Sequence, residues 1–224
     1  MKVEPPVKKR SAQKDRPRRP GRPKADTGDQ RLRLLDSAAT LFGQHGIAAT
    51  SIAAIARDAK VTPALVHYYF GSRDALVDAL VEERIRPLID TATATPDLAS
   101  GDPRTLLHAF VTTFATLMMA HPWLPPLYVR EVLSEGGQLR ERIIGGIAMP
   151  VAKRLAAALA GARKQKRLPS DLDPRLLVVS VMALVLFPLA AMPIWKRVFN
   201  VSTLRPRQLI DHTLALIDHG IALP

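Results

Sequence analysis

Apolar residues recur at helical spacing from Asp29 onward, with Leu32, Leu35, Ala39 and Phe42 on one face, which predicts a first helix ending at His45-Gly46. Thr50 and Ser51 then stand as capping residues for a short helix to about Ala59, with Ile52, Ile55 and Ala56 turned inward. After Lys60-Val61, Thr62 is an N-cap and Pro63 occupies the first helical position, where a missing N–H costs nothing. That third helix runs to about Phe70. Ser72 caps a fourth, with Asp74 in its first turn, continuing to about Ile89. A Thr-rich stretch to Gly101 reads as a linker, and Asp102-Pro103 opens the next helix. The remaining periodic segments are 104–120, 124–134, 138–167 with a kink at Pro150, 174–198, and 206–219 ending at Gly220. No segment alternates convincingly like a strand, so the class is all-α.

Two helices of about eight residues, joined by a tight turn at Ala59–Val61 and propped by a preceding helix, have helix-turn-helix proportions. The second should enter the major groove. Thr62, Pro63, Ala64 and Leu65 carry little bulk, so its start can approach DNA closely and aim N–H groups at phosphates. His67, Tyr68 and Tyr69 follow, with apolar bodies and hydrogen-bonding tips suited to sugars, thymine methyls and base edges. An aromatic cluster on a short helix can equally be core, and Val66 and Phe70 are read as core here.

Residues 31–80 resemble the DNA-binding region of the TetR family. The resemblance rests on Thr50-Ser51-Ile52, on Ile55-Ala56, and on Val66-His67-Tyr68-Tyr69-Phe70-Gly71-Ser72-Arg73. It implies that Tyr69, Arg73 and the Thr50 and Ser51 hydroxyls contact phosphates, with Thr62 at the start of the reading helix. Ala64, Leu65, His67 and Tyr68 would face the bases. Two positions depart from the family's usual residues, with His67 in place of Tyr and Lys60 in place of the turn Gly. The resemblance also implies a cytoplasmic, nucleoid-associated bacterial regulator with a three-helix head over 28–72 and a helical ligand-binding and dimerisation domain over 73–224. Helices 174–198 and 206–219 would pair with their mates as a four-helix bundle. The dimer would bind a palindromic operator, and a ligand would shift the fourth helix so that the paired heads no longer match the half-sites.

Charge adds a second grip. The net charge is +12, and residues 1–27 hold ten Lys or Arg against three acids, while residues 28–86 hold seven of each. The tail lacks the apolar groups needed to offset ordering entropy and is expected to be disordered. Its Arg18-Arg19-Pro20-Gly21-Arg22-Pro23-Lys24 run resembles an AT-hook core, thin enough to place Arg19 and Arg22 in an A·T-rich minor groove. A merely solubilising basic tail is the other reading.

Beyond the head, Phe110, Phe114, Met118, Trp123, Tyr128, Ile144 and Ile147 are candidates to line a cavity for a small hydrophobic effector, as such residues do in the resembled family. Met and aromatics at helical spacing also fill ordinary cores. The charge-free run 176–195 is long enough to span a bilayer. Pro188 and Pro193 interrupt it, and a DNA-searching head argues for a buried soluble helix and no membrane, leaving a membrane-anchored protein or a DNA-architectural protein as alternatives. His108, His121, His212 and His219 lack metal-ligand spacing, and cysteine is absent. No nucleophile elbow, phosphate loop or dinucleotide fingerprint occurs, so no catalytic residues and no cofactor are expected.

Overall fold

The computed structural model describes residues 27–94, 102–203 and 205–222, without the side chains of Thr27, Ile147, Ala148 and Pro206. Among them there is no strand. Helix α1 (Thr27–His45) is followed by α2 (Ile52–Asp58), α3 (Pro63–Phe70) and α4 (Arg73–Leu80), which runs through a π-helical turn, Val81–Ile85, into α5 (Arg86–Thr93). Then come α6 (Pro103–Ala120), α7 (Leu124–Tyr128) with a π turn Val129–Leu133, and α8 (Arg140–Ile143), which continues through a third π turn, Ile144–Ala148, into α9 (Met149–Lys164). The chain ends in α10 (Pro174–Ala190), α11 (Met192–Val198) and α12 (Pro206–Ile221).

Local signals set the boundaries. Ser51 and Ser72 accept the Ala54 and Ala75 N–H groups as N-caps, and Asp102 and Asp173 do the same for α6 and α10. Helix α2 closes in a Schellman motif, with the Lys60 N–H donating to Arg57 O at 3.1 Å and the Val61 N–H to Ala56 O at 2.9 Å. The motif needs a left-handed residue, and Lys60 supplies it at φ 57°. Lys166 and Asn200 close α9 and α11 in the same way.

Four segment expectations are corrected. The fourth helix does not stop at Ile89 but extends to Thr93, so the linker is shorter at its start; residues 95–101 lie outside the described residues. The segment 138–167 divides into α8, a π turn and α9, and the irregularity falls at Ile144–Ala148, ahead of Pro150. Segment 174–198 is two helices bent by 70°. Pro193 has no N–H for the Leu189 carbonyl, and the Trp195 indole N–H donates to Pro188 O at 2.6 Å, satisfying a carbonyl that a continuing helix would have bonded internally. On α1, Leu32 is 44% exposed and Leu34 is fully buried instead. The cause is that α1 is covered by α2 and α4 and also by α7 of the body, which swings its buried arc toward Leu34 and Ala38. No single helix among the described residues is long and apolar enough to cross a membrane.

One core joins α1–α4 and does not end at residue 72. Leu76, Val77, Leu80 and Ile85 share it with Phe42, Ile55 and Val66, and Leu127, Val132 and Ile143 enter it from the body. A second core lies between α6, α9, α10 and α12.

Candidate DNA-reading helix and body cavity

Helix α3 buries one side only. Val66 and Phe70 are buried, while Thr62, Ala64, His67 and Tyr68 stand exposed and Leu65 is half-buried. Tyr68 is 79% exposed, a large aromatic held in solvent on a helix anchored from below. Its ring meets Tyr69 edge-on, with centroids 5.3 Å apart. Tyr69 packs partly against the head core and its hydroxyl donates to Gln30 Oε1 at 3.4 Å. The Thr62 side chain makes no capping bond. The Nδ1 of His67 lies 3.2 Å from Gly71 O, at the end of the helix.

Thr50 is placed differently from the expectation. It is 3% exposed, and its hydroxyl donates to Gly46 O at 2.7 Å, so a phosphate contact through that group is not available. The cause is the tight loop after α1, where Gly46, at φ 86°, presents its carbonyl inward. Ser51 is exposed, but its hydroxyl accepts the Ala54 N–H as the cap of α2. The Arg73 guanidinium donates to Thr50 O at 2.6 Å and ties α4 to this loop. Arg19 and Arg22 lie outside the described residues.

The body contains a cavity of about 360 Å³. Phe110, Phe114, Met118, Tyr128 and Ile144 line it, and the two phenyl rings stack 5.5 Å apart at 10°. Trp123 is not at its wall. Its backbone carbonyl closes against α1 instead, where a Cβ on Gly43 would sit 2.7 Å away, and its ring stands edge-on to His121. The side chain of Ile147 is outside the described residues. Among the described residues, no charged side chain lines the cavity. Its polar groups are the hydroxyls of Thr93, Thr113 and Tyr128, and burial pushes the Tyr128 phenol above its usual range.

Ile85, Ile89 and Thr93 complete one wall. They belong to the continuation of α4, whose start sits in the head core, so one rod of chain reaches from head to cavity. Arg31 pairs with Glu83, and Arg84 donates to Asp36 Oδ1 at 2.7 Å, pinning that rod to α1. From the body, Arg142 donates to Asp78 Oδ1 at 2.6 Å. Sequence spacing marks Ile85 and Ile89 as inward-facing but cannot say that their neighbour is empty space. Of the histidines, His108 Nε2 bonds Asp218 Oδ1 at 2.7 Å and His219 Nδ1 lies 2.6 Å from Ala215 O; among the described residues no group could hold a metal.

The pattern described as "Bacterial regulatory proteins, tetR family" matches residues 34–80, and that described as "Tetracyclin repressor-like, C-terminal domain" matches residues 103–219. The chain is similar to the HTH-type transcriptional regulator BetI of Paraburkholderia xenovorans (strain LB400), 32% identical over 82 residues, 37% of this chain and 42% of that protein. BetI of Rhizobium meliloti (strain 1021) is 37% identical over 82 residues, 37% of this chain and 40% of that protein. The match thus spans about two fifths of the length of these curated relatives. Among solved structures, the hemolysin II transcriptional regulator HlyIIR superposes with a TM-score of 0.64 at 22% identity, covering 85% of this chain and 98% of that one. The ketosteroid transcriptional regulator KstR2 of Mycobacterium tuberculosis gives 0.66 at 21%, covering 87% and 96%. FadR from Bacillus subtilis, solved with stearoyl-CoA, gives 0.64 at 17%, covering 85% and 99%. These identities speak to the fold alone. With one family pattern over the exposed reading helix and a second over more than half of the chain, the protein belongs to the TetR family of bacterial regulatory proteins.

Proposed function

We propose that this protein is a cytoplasmic transcriptional repressor that binds a palindromic operator as a homodimer and is released by a small, uncharged, hydrophobic effector. The observation that carries the reading is Tyr68, a large aromatic 79% exposed on a short helix whose opposite side is locked into the head core. Thr62, Ala64, His67 and Tyr68 face the bases, with Leu65 beside them. Ser51, Tyr69 and Arg73 lie at the edges, where phosphates pass. The basic N-terminal segment, with Arg19 and Arg22, supplies the charge that a neutral head lacks.

The effector class follows from the cavity wall. A charged ligand would be desolvated there against a wall whose described side chains are uncharged, whereas stacked Phe110 and Phe114 favour flat or chain-like apolar groups. KstR2 and FadR are named for ketosteroid and fatty acid regulation, in keeping with a lipophilic effector class. Pressure on Ile85 and Ile89 would act on the rod that carries the head. Duplexes selected from a random pool should be enriched in an inverted repeat, with binding that weakens steeply as salt rises. Tyr68→Ala should remain folded and lose about tenfold or more in affinity for the selected duplex. Unchanged affinity of that variant, or no enrichment, would exclude the reading.

A further inference from the structure

Glu131 is the only acidic or basic residue among the buried polar side chains described, at 5% exposure. It faces no cation within ion-pair distance among the described residues. Its carboxylate is satisfied by backbone instead: Oε1 accepts the Ile47 N–H at 2.7 Å, and Oε2 accepts the Gln138 N–H at 3.0 Å. The first bond crosses from body to head.

Both ends of that bond are placed for transmission. Ile47 is fully buried in the head core and follows Gly46, where a Cβ would lie 3.1 Å from Glu131 Oε1. The loop from Gly46 to Thr50 feeds the N-cap of α2, and Arg73 grips it from α4 through Thr50 O. On the body side, Glu131 sits in the π turn Val129–Leu133, between Tyr128 and Val132, both of which line the cavity. The turn is braced by Arg140, which donates to the carbonyls of Val132, Leu133 and Ser134. Gly137 lets the following loop fold back, since a Cβ there would meet Glu131 O at 2.3 Å.

We propose that Glu131 is a positioning residue that passes occupancy of the cavity to the DNA-reading head, a step that rests on the cavity being the effector site. A buried carboxyl group that accepts two backbone N–H bonds is costly to leave half-bonded, so a wall displaced at Tyr128 and Val132 either drags the Ile47 loop with it or breaks away. Either outcome is a discrete change in the head. Glutamine at this position keeps the shape but faces an amide NH₂ toward one of the two N–H donors, so one bond is lost whichever way it turns.

With the effector unidentified, the cavity can be filled covalently by Ala152→Phe or Thr113→Phe, and loss of uptake of the uncharged dye Nile red reports the filling. In the wild-type background, filling should lower affinity for the selected duplex about tenfold. It should also speed hydrogen exchange at the Ile47 amide. In the Glu131→Gln background, the same filling should change affinity by less than about twofold. Equal losses in both backgrounds would overturn the role of Glu131 and leave the effector site standing. Filling that displaces Nile red yet changes neither affinity nor Ile47 exchange would overturn both. If Glu131→Gln does not fold, Ile47 exchange in the filled wild-type background decides, and unchanged protection counts against the proposal.

Discussion

At the scale of single residues, backbone conformation and side-chain chemistry separate cleanly at Lys60. It occupies the left-handed region at φ 57° between α2 and α3, and its charged end is exposed. A side chain bearing Cβ is strained there, and glycine is not. Lys60→Gly should raise stability by about 0.5–1 kcal/mol in urea unfolding, the relief of strain being partly offset by the greater entropy of the unfolded glycine. Loss of stability would mean that the lysine side chain does something the structure does not display. The identity of this position as a turn was legible from its neighbours in the sequence. Thr50 was not legible in the same way, because a hydroxyl beside a helix start can cap, face outward or turn back, and the Gly46 carbonyl decides.

At the scale of elements, α6 and α12 are clipped together where Arg104 and His108 meet Asp218, at 2.7 Å each. The Arg104 N–H donating to Asp218 is the main cause holding its carboxyl below the usual range, with His108 adding to it. A depressed folded value means that the clip contributes above the unfolded carboxylate pKa, about 4, and is lost as pH falls through the lower folded value. Wild type should therefore exceed Asp218→Asn in urea midpoint near neutral pH. That difference should shrink as the pH is taken below about 4. A pH-independent difference would refute the assignment. The starts of α3 and α6 were readable, since Pro63 and Pro103 follow Thr62 and Asp102 in the chain. Helix continuity was less so. The breaks at Ile144–Ala148 and Ala191 depend on which carbonyls find substitute donors, such as the Trp195 indole.

At the scale of the whole molecule, α10 leaves Leu176 and Val179 more than 60% exposed and Phe187 71% exposed, and Leu216 on α12 is 46% exposed. Apolar groups of this size along one helix are costly in water and suit a self-complementary contact between two copies. Phe187→Glu should convert a dimer to a monomer in sedimentation. It should also reduce operator affinity at least about tenfold, because a single head meets only one half-site. A variant that remains dimeric would move the interface elsewhere.

The all-α class, the short reading helix with its caps, and the inward face of Ile55, Val66 and Phe70 were determined by the sequence itself. Caps, prolines and helical periodicity act between residues a few positions apart, and no distant partner is needed to read them. Tertiary structure alone decided that α4 and its continuation reach from the head core to the cavity. It alone decided that Trp123 closes against α1 while Ile85 and Ile89 face empty space, and that Glu131 meets Ile47 across 84 positions of chain. A void and a long-range hydrogen bond are properties of what fails or happens to lie opposite a side chain. The order of residues does not encode them locally.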